Sequence, residues 1–164
     1  MNQTINFTSC QIVINDSVNK VEYSVQGKID ERFSAQDIPC IRRNHIHLNL
    51  KAVSNFTSSG INHWIAFISK LSDFGQPILD ECSISFMDHA NMIPRVLGNC
   101  RIHSFLAPYE CECGLSVSML IVVDDHNAEL NQSIAPSFVC QCGNVLIFDG
   151  NEESYFSFIA STSL

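Results

Sequence analysis

Apolar and polar positions alternate soon after the chain begins. Cys10 to Asn15 and Val21 to Gly27 read as two strands, with Val13, Val21, Tyr23 and Val25 as β-formers and Asn15-Asp16-Ser17 as the turn, so the pattern predicts an opening β-hairpin. After an irregular stretch through Pro39, His45-Ile46-His47-Leu48-Asn49-Leu50 alternates strictly and puts Ile46, Leu48 and Leu50 on one face of a strand. The period then changes. Ile61, Trp64, Ile65, Ile68 and Leu71 recur at helical spacing, with Thr57, Ser58 or Ser59 available as N-cap. Burial of such side chains contributes about 1.5 to 3 kcal/mol each, enough to dock this helix on a sheet. Gly75-Gln76-Pro77 ends the unit. Cys82 to Met87 reads as the next strand, and Asp88 to Leu97 as a second helix carrying Met92, Ile93, Val96 and Leu97. Pro94 requires that helix to start late, kink or stop near Ile93. A further strand is predicted from Ile102 to Leu106. Strands alternating with helices after a hairpin predict an α/β architecture, with helices packed on a mixed sheet.

Composition narrows the function classes. A chain of 164 residues with 46% hydrophobic and only 16% charged residues can bury a real core, and it is too apolar to stay disordered. Nine basic against 17 acidic residues give a net charge of -8, the wrong sign for general attraction to nucleic acid or anionic lipid. Between Cys111 and Leu164 there is no lysine or arginine. No basic flank leads into a long apolar run, and no stretch approaches the roughly 18 apolar residues of a bilayer span, so the expected location is the cytoplasm.

In a reducing compartment eight cysteines point to metal ligands, redox chemistry or buried thiols rather than structural disulfides. Cys10, Cys40, Cys82 and Cys100 lie among apolar neighbours and read as core. The other four form a local repeat, Glu110-Cys111-Glu112-Cys113-Gly114 and Val139-Cys140-Gln141-Cys142-Gly143, around a strand-like run from Ser116 to Val123. Two cysteine pairs, each followed by a glycine that lets the backbone turn, resemble the knuckles of a zinc ribbon, although that pattern has two residues between its cysteines and this chain has one. The resemblance implies a structural zinc ion held by Cys111, Cys113, Cys140 and Cys142. Four protein ligands leave no position for water, so such an ion would not be catalytic. The alternative is that the same cysteines are reactive thiols or pair as disulfides.

The stretch from Ile46 to Ile61, a strand running into Thr57-Ser58-Ser59-Gly60-Ile61 at a helix start, resembles the Asp-Ser-Ser/Thr-Gly segment of STAS domains of the bacterial anti-sigma-factor antagonist type. Element order is similar from about residue 10 to 108. The resemblance implies a protein partner, a kinase or regulatory protein, that meets the helix start and phosphorylates the serine matching Ser58. Thr57 stands where that family has aspartate, which bears on the phosphorylation and not on the fold. A phosphate on Ser58 would face free amides and the positive end of the helix dipole. Equally, Thr57, Ser58 and Ser59 can be caps and nothing more.

His45 and His47 share a strand face at a spacing that could hold a metal, but no acidic or third histidine partner is visible beside them. Asp88-His89 and Asp124-Asp125-His126 are common turn compositions. The tail Glu152-Glu153-Ser154-Tyr155-Phe156-Ser157-Phe158-Ile159 is expected to dock on the body, with a partner surface built from Tyr155, Phe156 and Phe158 as the alternative, and the end from Ser161 to Leu164 to fray. No Gly-rich phosphate loop, nucleophile elbow or zinc-hydrolase helix motif occurs. The sequence therefore predicts a STAS-like α/β domain over residues 1–108 and a small zinc-ribbon-like β module with an acidic-aromatic tail over 109–164. The expected function is non-enzymatic protein binding in signalling or regulation; the alternative is a thiol-based redox sensor or chaperone.

Overall fold

The structure is a computed structural model that describes residues 2–159. The tail residues from Ser161 to Leu164 lie outside them. The chain opens with a meander rather than a lone hairpin: β1 (Asn2–Asn6), β2 (Cys10–Asp16) and β3 (Lys20–Ile29) pair antiparallel in sequence order. Ser17 closes the β2–β3 turn, its hydroxyl and its amide both donating to the Lys20 carbonyl. β4 (His45–Phe56) then pairs parallel to β3 and runs past the predicted Leu50 to the helix. β5 (Ile78–Asp80) and β6 (Arg101–Ile102) continue the parallel half, giving a six-stranded mixed sheet in chain order.

Helix α1 (Ser58–Ser72) follows β4 directly. Thr57 is the N-cap, its hydroxyl accepting from the Gly60 amide at 3.1 Å, and Ser58 and Ser59 fall in the first turn. Trp64, Phe67, Ile68 and Leu71 are buried, while Ile61 and Ile65 of the predicted stripe are half-buried at its border. The Trp64 indole meets Phe33, Phe56, Phe67 and Phe86 and donates from Nε1 to the Val96 carbonyl at 3.0 Å. A glycine at position 60 lets the helix start against β3, because a Cβ there would lie 2.0 Å from the Ile29 carbonyl oxygen.

Three predicted elements differ from the structure. The run from Cys82 to Met87 is not a strand: Ser83 caps α2 (Ile84–Met92), its hydroxyl accepting from the Phe86 amide at 3.1 Å and donating to the Val53 carbonyl at 2.7 Å. A short apolar run fits either period. The cap decides for the helix, which then buries Phe86, Met87 and Ala90. The second helix thus starts earlier than predicted and ends at Ile93, where Pro94 begins a single 3-10 turn, Pro94–Val96. The predicted strand from Ile102 to Leu106 is divided at His103 between β6 and β7 (Ser104–Glu110).

β7 begins a second, four-stranded antiparallel sheet with β8 (Ser116–Val122), β9 (Phe138–Val139) and β10 (Val145–Phe148), in the order β8-β7-β10-β9. A short helix α3 (Asn127–Leu130) lies between β8 and β9, and α4 (Glu152–Tyr155) follows β10. The position near Tyr109 at which the cysteine repeat begins is inside β7. Phe105 of β7 packs on Tyr155, Phe156 and Phe158, and the Tyr155 hydroxyl donates to the Leu106 carbonyl at 2.7 Å. Tyr155, Phe156, Phe158 and Ile159 are buried, so the tail docks on the body. One continuous apolar cluster links both sheets.

Candidate metal centre

Strands β7 and β8 are joined by Cys111-Glu112-Cys113-Gly114-Leu115, and β9 and β10 by Cys140-Gln141-Cys142-Gly143-Asn144. The two loops are built alike. In the first, the Cys111 amide donates to the Leu115 carbonyl and the Gly114 amide to the Cys111 carbonyl, both at 2.8 Å. In the second, the Cys140 amide donates to the Asn144 carbonyl at 2.8 Å and the Gly143 amide to the Cys140 carbonyl at 2.9 Å. Each is a three-residue hairpin loop, a tight turn followed by one left-handed residue. Gly114 and Gly143 hold φ of 89° and 93°, and a Cβ on either would meet nothing within 4 Å. Backbone conformation, not space, selects glycine here.

The pairing Ile147↔Glu110 sets the start of β10 beside the end of β7, so both loops project from one end of the sheet. Cys111 and Cys142 approach to 3.5 Å between sulfurs, Cys113 and Cys140 to 3.8 Å, and all four sulfurs lie within 4.8 Å of one another. A disulfide brings its sulfurs to about 2.05 Å, so these are not bonded pairs. A tetrahedral ion with metal–sulfur bonds of about 2.3 Å separates its sulfurs by about 3.8 Å, close to the spacing of these two pairs. The four cysteines predicted from the repeat can therefore hold one metal ion. Cys111 and Cys140 are buried and Cys113 and Cys142 exposed, which leaves one side of the cluster open to solvent for entry.

A backbone amide favours ionisation at Cys142. The Asn144 amide donates to the Cys142 sulfur, and with neighbouring thiols donating as well it brings the Cys142 pKa down to about 7. The Cys113 amide pulls the Cys111 thiol the same way, but desolvation and hydrogen bonds to the other three cysteines outweigh it and push Cys111 up to about 12. One proton leaves this cluster readily and another is held. A bound cation removes that limit, because its charge offsets the repulsion among thiolates. The scattered cysteines differ: burial pushes Cys10 up to about 11 and Cys100 to about 12, lifts the fully buried Cys82 well above its ordinary value, and raises the half-buried Cys40. They stay protonated and pack as small apolar groups.

The other predicted positions do not join this centre. Thr57 is half-buried in its capping role, and Ser58 and Ser59 are exposed at the start of α1. His45 is exposed, whereas His47 meets Asp80, which also meets His103; no local spacing reveals these companions because Asp80 lies 33 and 23 residues from the two histidines. The His89 ring donates from Nδ1 to the Ser85 carbonyl, one turn back in α2, and packs on Phe56. Asp124 pairs with Arg101 at the surface. Among the described residues, no helix is long and apolar enough to cross a membrane. No protein-family model matches the chain, and no curated protein matches it.

Proposed function

We propose that this chain is a non-enzymatic, cytoplasmic protein-binding module of the STAS type whose second sheet is tied together by one structural zinc ion. The observation that carries the zinc is the gathering of four sulfurs at 3.5 and 3.8 Å across two like-built loops. Four thiolates in a tetrahedron suit zinc among the common biological metals, and a site closed by four protein ligands serves structure. The STAS-type reading is supported by the residue resemblance, by the mixed sheet with α1 starting directly after a parallel strand, and by exposed Ser58 on the first turn of that helix. In this reading a kinase or regulatory protein contacts the start of α1, and a phosphate on Ser58 would alter the charge of that contact.

Mass spectrometry of the freshly purified chain under native and then denaturing conditions tests both parts. One zinc per chain, lost on denaturation from eight reduced thiols, is the expected result. A metal-free chain lighter by the hydrogens of one or two disulfides would replace the structural site with redox chemistry. A Ser58→Asp variant that keeps its fold and every partner cross-linked to the wild type would refute the contact at the helix start.

A further inference from the structure

Helices α1 and α2 cover one face of the six-stranded sheet, where Tyr23 meets Phe67 and Phe56 meets Trp64 and Phe86. The opposite face bears half-buried polar residues, Glu22 on β3, His47 on β4 and Asp80 on β5. There two imidazoles converge on a single carboxylate. His47 Nδ1 is 2.5 Å from one oxygen of Asp80, and His103 Nδ1 is 2.8 Å from the other. The three side chains come from three places in the chain, and the sheet fixes them. His47 and Asp80 sit diagonally across the β4–β5 pairing, whose matched pairs include His47↔Ile78 and Asn49↔Asp80. His103, between β6 and β7, donates its amide to the Leu79 carbonyl and accepts the Val123 amide, each at 2.9 Å.

The surroundings favour a cation. The cluster lies in an open cleft between Glu22 and Glu81, walled on one side by Leu120 and Val122 of β8. Lys20 pairs with Glu22 at 2.8 Å and Lys51 with Glu81 at 2.9 Å, so neither lysine is committed to Asp80. With neutral imidazoles, three carboxylates face two ammonium groups and leave the cleft negative. Glu81 is one of only two non-glycine residues among the described ones with positive φ, 48°, and its amide is held by the Ser104 hydroxyl at 2.9 Å. Backbone held in a sparsely populated conformation beside a polar cluster is the company functional sites keep.

We infer that His47, His103 and Asp80 form a second metal site, for a labile divalent first-row transition ion such as nickel, cobalt or iron(II). Bonds of about 2.1 Å to nitrogen and oxygen put adjacent ligand atoms of such an ion about 3 Å apart, close to the nitrogen–oxygen separations already present. An ion at the two Nδ1 atoms takes the place of their hydrogen bonds to Asp80, each neutral imidazole moving its single proton from Nδ1 to Nε2, so no proton is released. Only the four cysteines are gathered to full ligand spacing among the described residues, so an ion here must draw the two imidazoles toward each other. Its remaining positions open on the cleft and take water. This centre is therefore exchangeable where the cysteine centre is closed, and two imidazoles with one carboxylate select nitrogen- and oxygen-seeking ions over thiolate-seeking ones.

The test is calorimetric titration of nickel(II) into the tag-free chain with its cysteine centre zinc-loaded, followed by absorption and histidine proton spectra. One nickel per chain, bound without thiolate-to-nickel charge transfer and without zinc release, and broadening of the His47 and His103 ring signals, is expected. His47→Gln, His103→Gln and Asp80→Asn should each weaken binding at least about tenfold. Absence of saturable binding, charge transfer from thiolate, or ring signals of His47 and His103 left sharp at saturation would overturn the site. The spectra are read on the unmodified chain, so they decide the matter even if a variant misfolds.

Discussion

Removing the metal from the cysteine centre is the perturbation with the largest expected effect. Apparent binding free energies of four-ligand structural zinc sites are about 10 to 16 kcal/mol, comparable to the whole stability of a typical domain at about 5 to 15 kcal/mol. Two of the sulfur pairs already stand within a few tenths of an ångström of tetrahedral spacing, and all four sulfurs lie within 4.8 Å of one another. Even a free zinc concentration only a thousandfold above the dissociation constant adds about 4 kcal/mol, which for a chain of this size raises Tm by roughly 8 to 16 °C. The loss should be felt locally first. The far end of the second sheet is anchored by buried Cys111, Cys140, Leu146, Tyr109 and Pro136, whereas Phe105 is locked to the tail and α1 to the six-stranded sheet. Scanning calorimetry in zinc buffer and in chelator, with hydrogen exchange followed by mass spectrometry, measures both. Chelation should lower Tm by at least about 8 °C and release the amides of residues 111–117 and 138–147 while those of 45–72 stay protected. A Tm change under about 2 °C, or exchange rising equally over the whole chain, would refute the reasoning.

Other outcomes follow from the same geometry. Gly114→Ala or Gly143→Ala places a side chain in left-handed backbone at about 1 to 2 kcal/mol, so metal affinity in a chelator competition should fall roughly tenfold although nothing clashes. Mild peroxide should yield disulfides that peptide mapping assigns to Cys111–Cys142 and Cys113–Cys140, whose sulfurs stand at 3.5 and 3.8 Å, and not to the cysteines within one loop. Trp64→Ala removes a fully buried ring and strands the Val96 carbonyl; urea unfolding by circular dichroism should show a loss of at least about 4 kcal/mol, and Trp64→Phe a smaller one. The Asp30 carboxyl is held below its ordinary 3.8 by the Ser9 hydroxyl and the Arg32 amide. It therefore stabilises the fold above about pH 3.8, and this contribution disappears as pH falls through the lower folded value. Asp30→Asn should be less stable than wild type at neutral pH, the two curves meeting in acid.

The local pattern of this sequence was enough to determine strands β2, β3 and β4, helix α1 and the four cysteines of the candidate metal centre, because each is written within a few neighbouring residues. A period of two, a helical stripe around Trp64, and two cysteine–glycine loops need no distant partner to be read. Elements that depend on distant groups were not legible. Ser83 turns Cys82 to Met87 into a helix by bonding Val53, thirty residues away, and β6 parts from β7 because the two halves of one apolar run join different sheets. The same holds at the sites. Cys111 and Cys113 are visibly a pair, but their meeting with Cys140 and Cys142 is made by β10 pairing with β7. His47 shows no partner in sequence; only the parallel register of β4, β5 and β6 sets Asp80 and His103 beside it, because strand pairing joins residues that the chain order keeps apart.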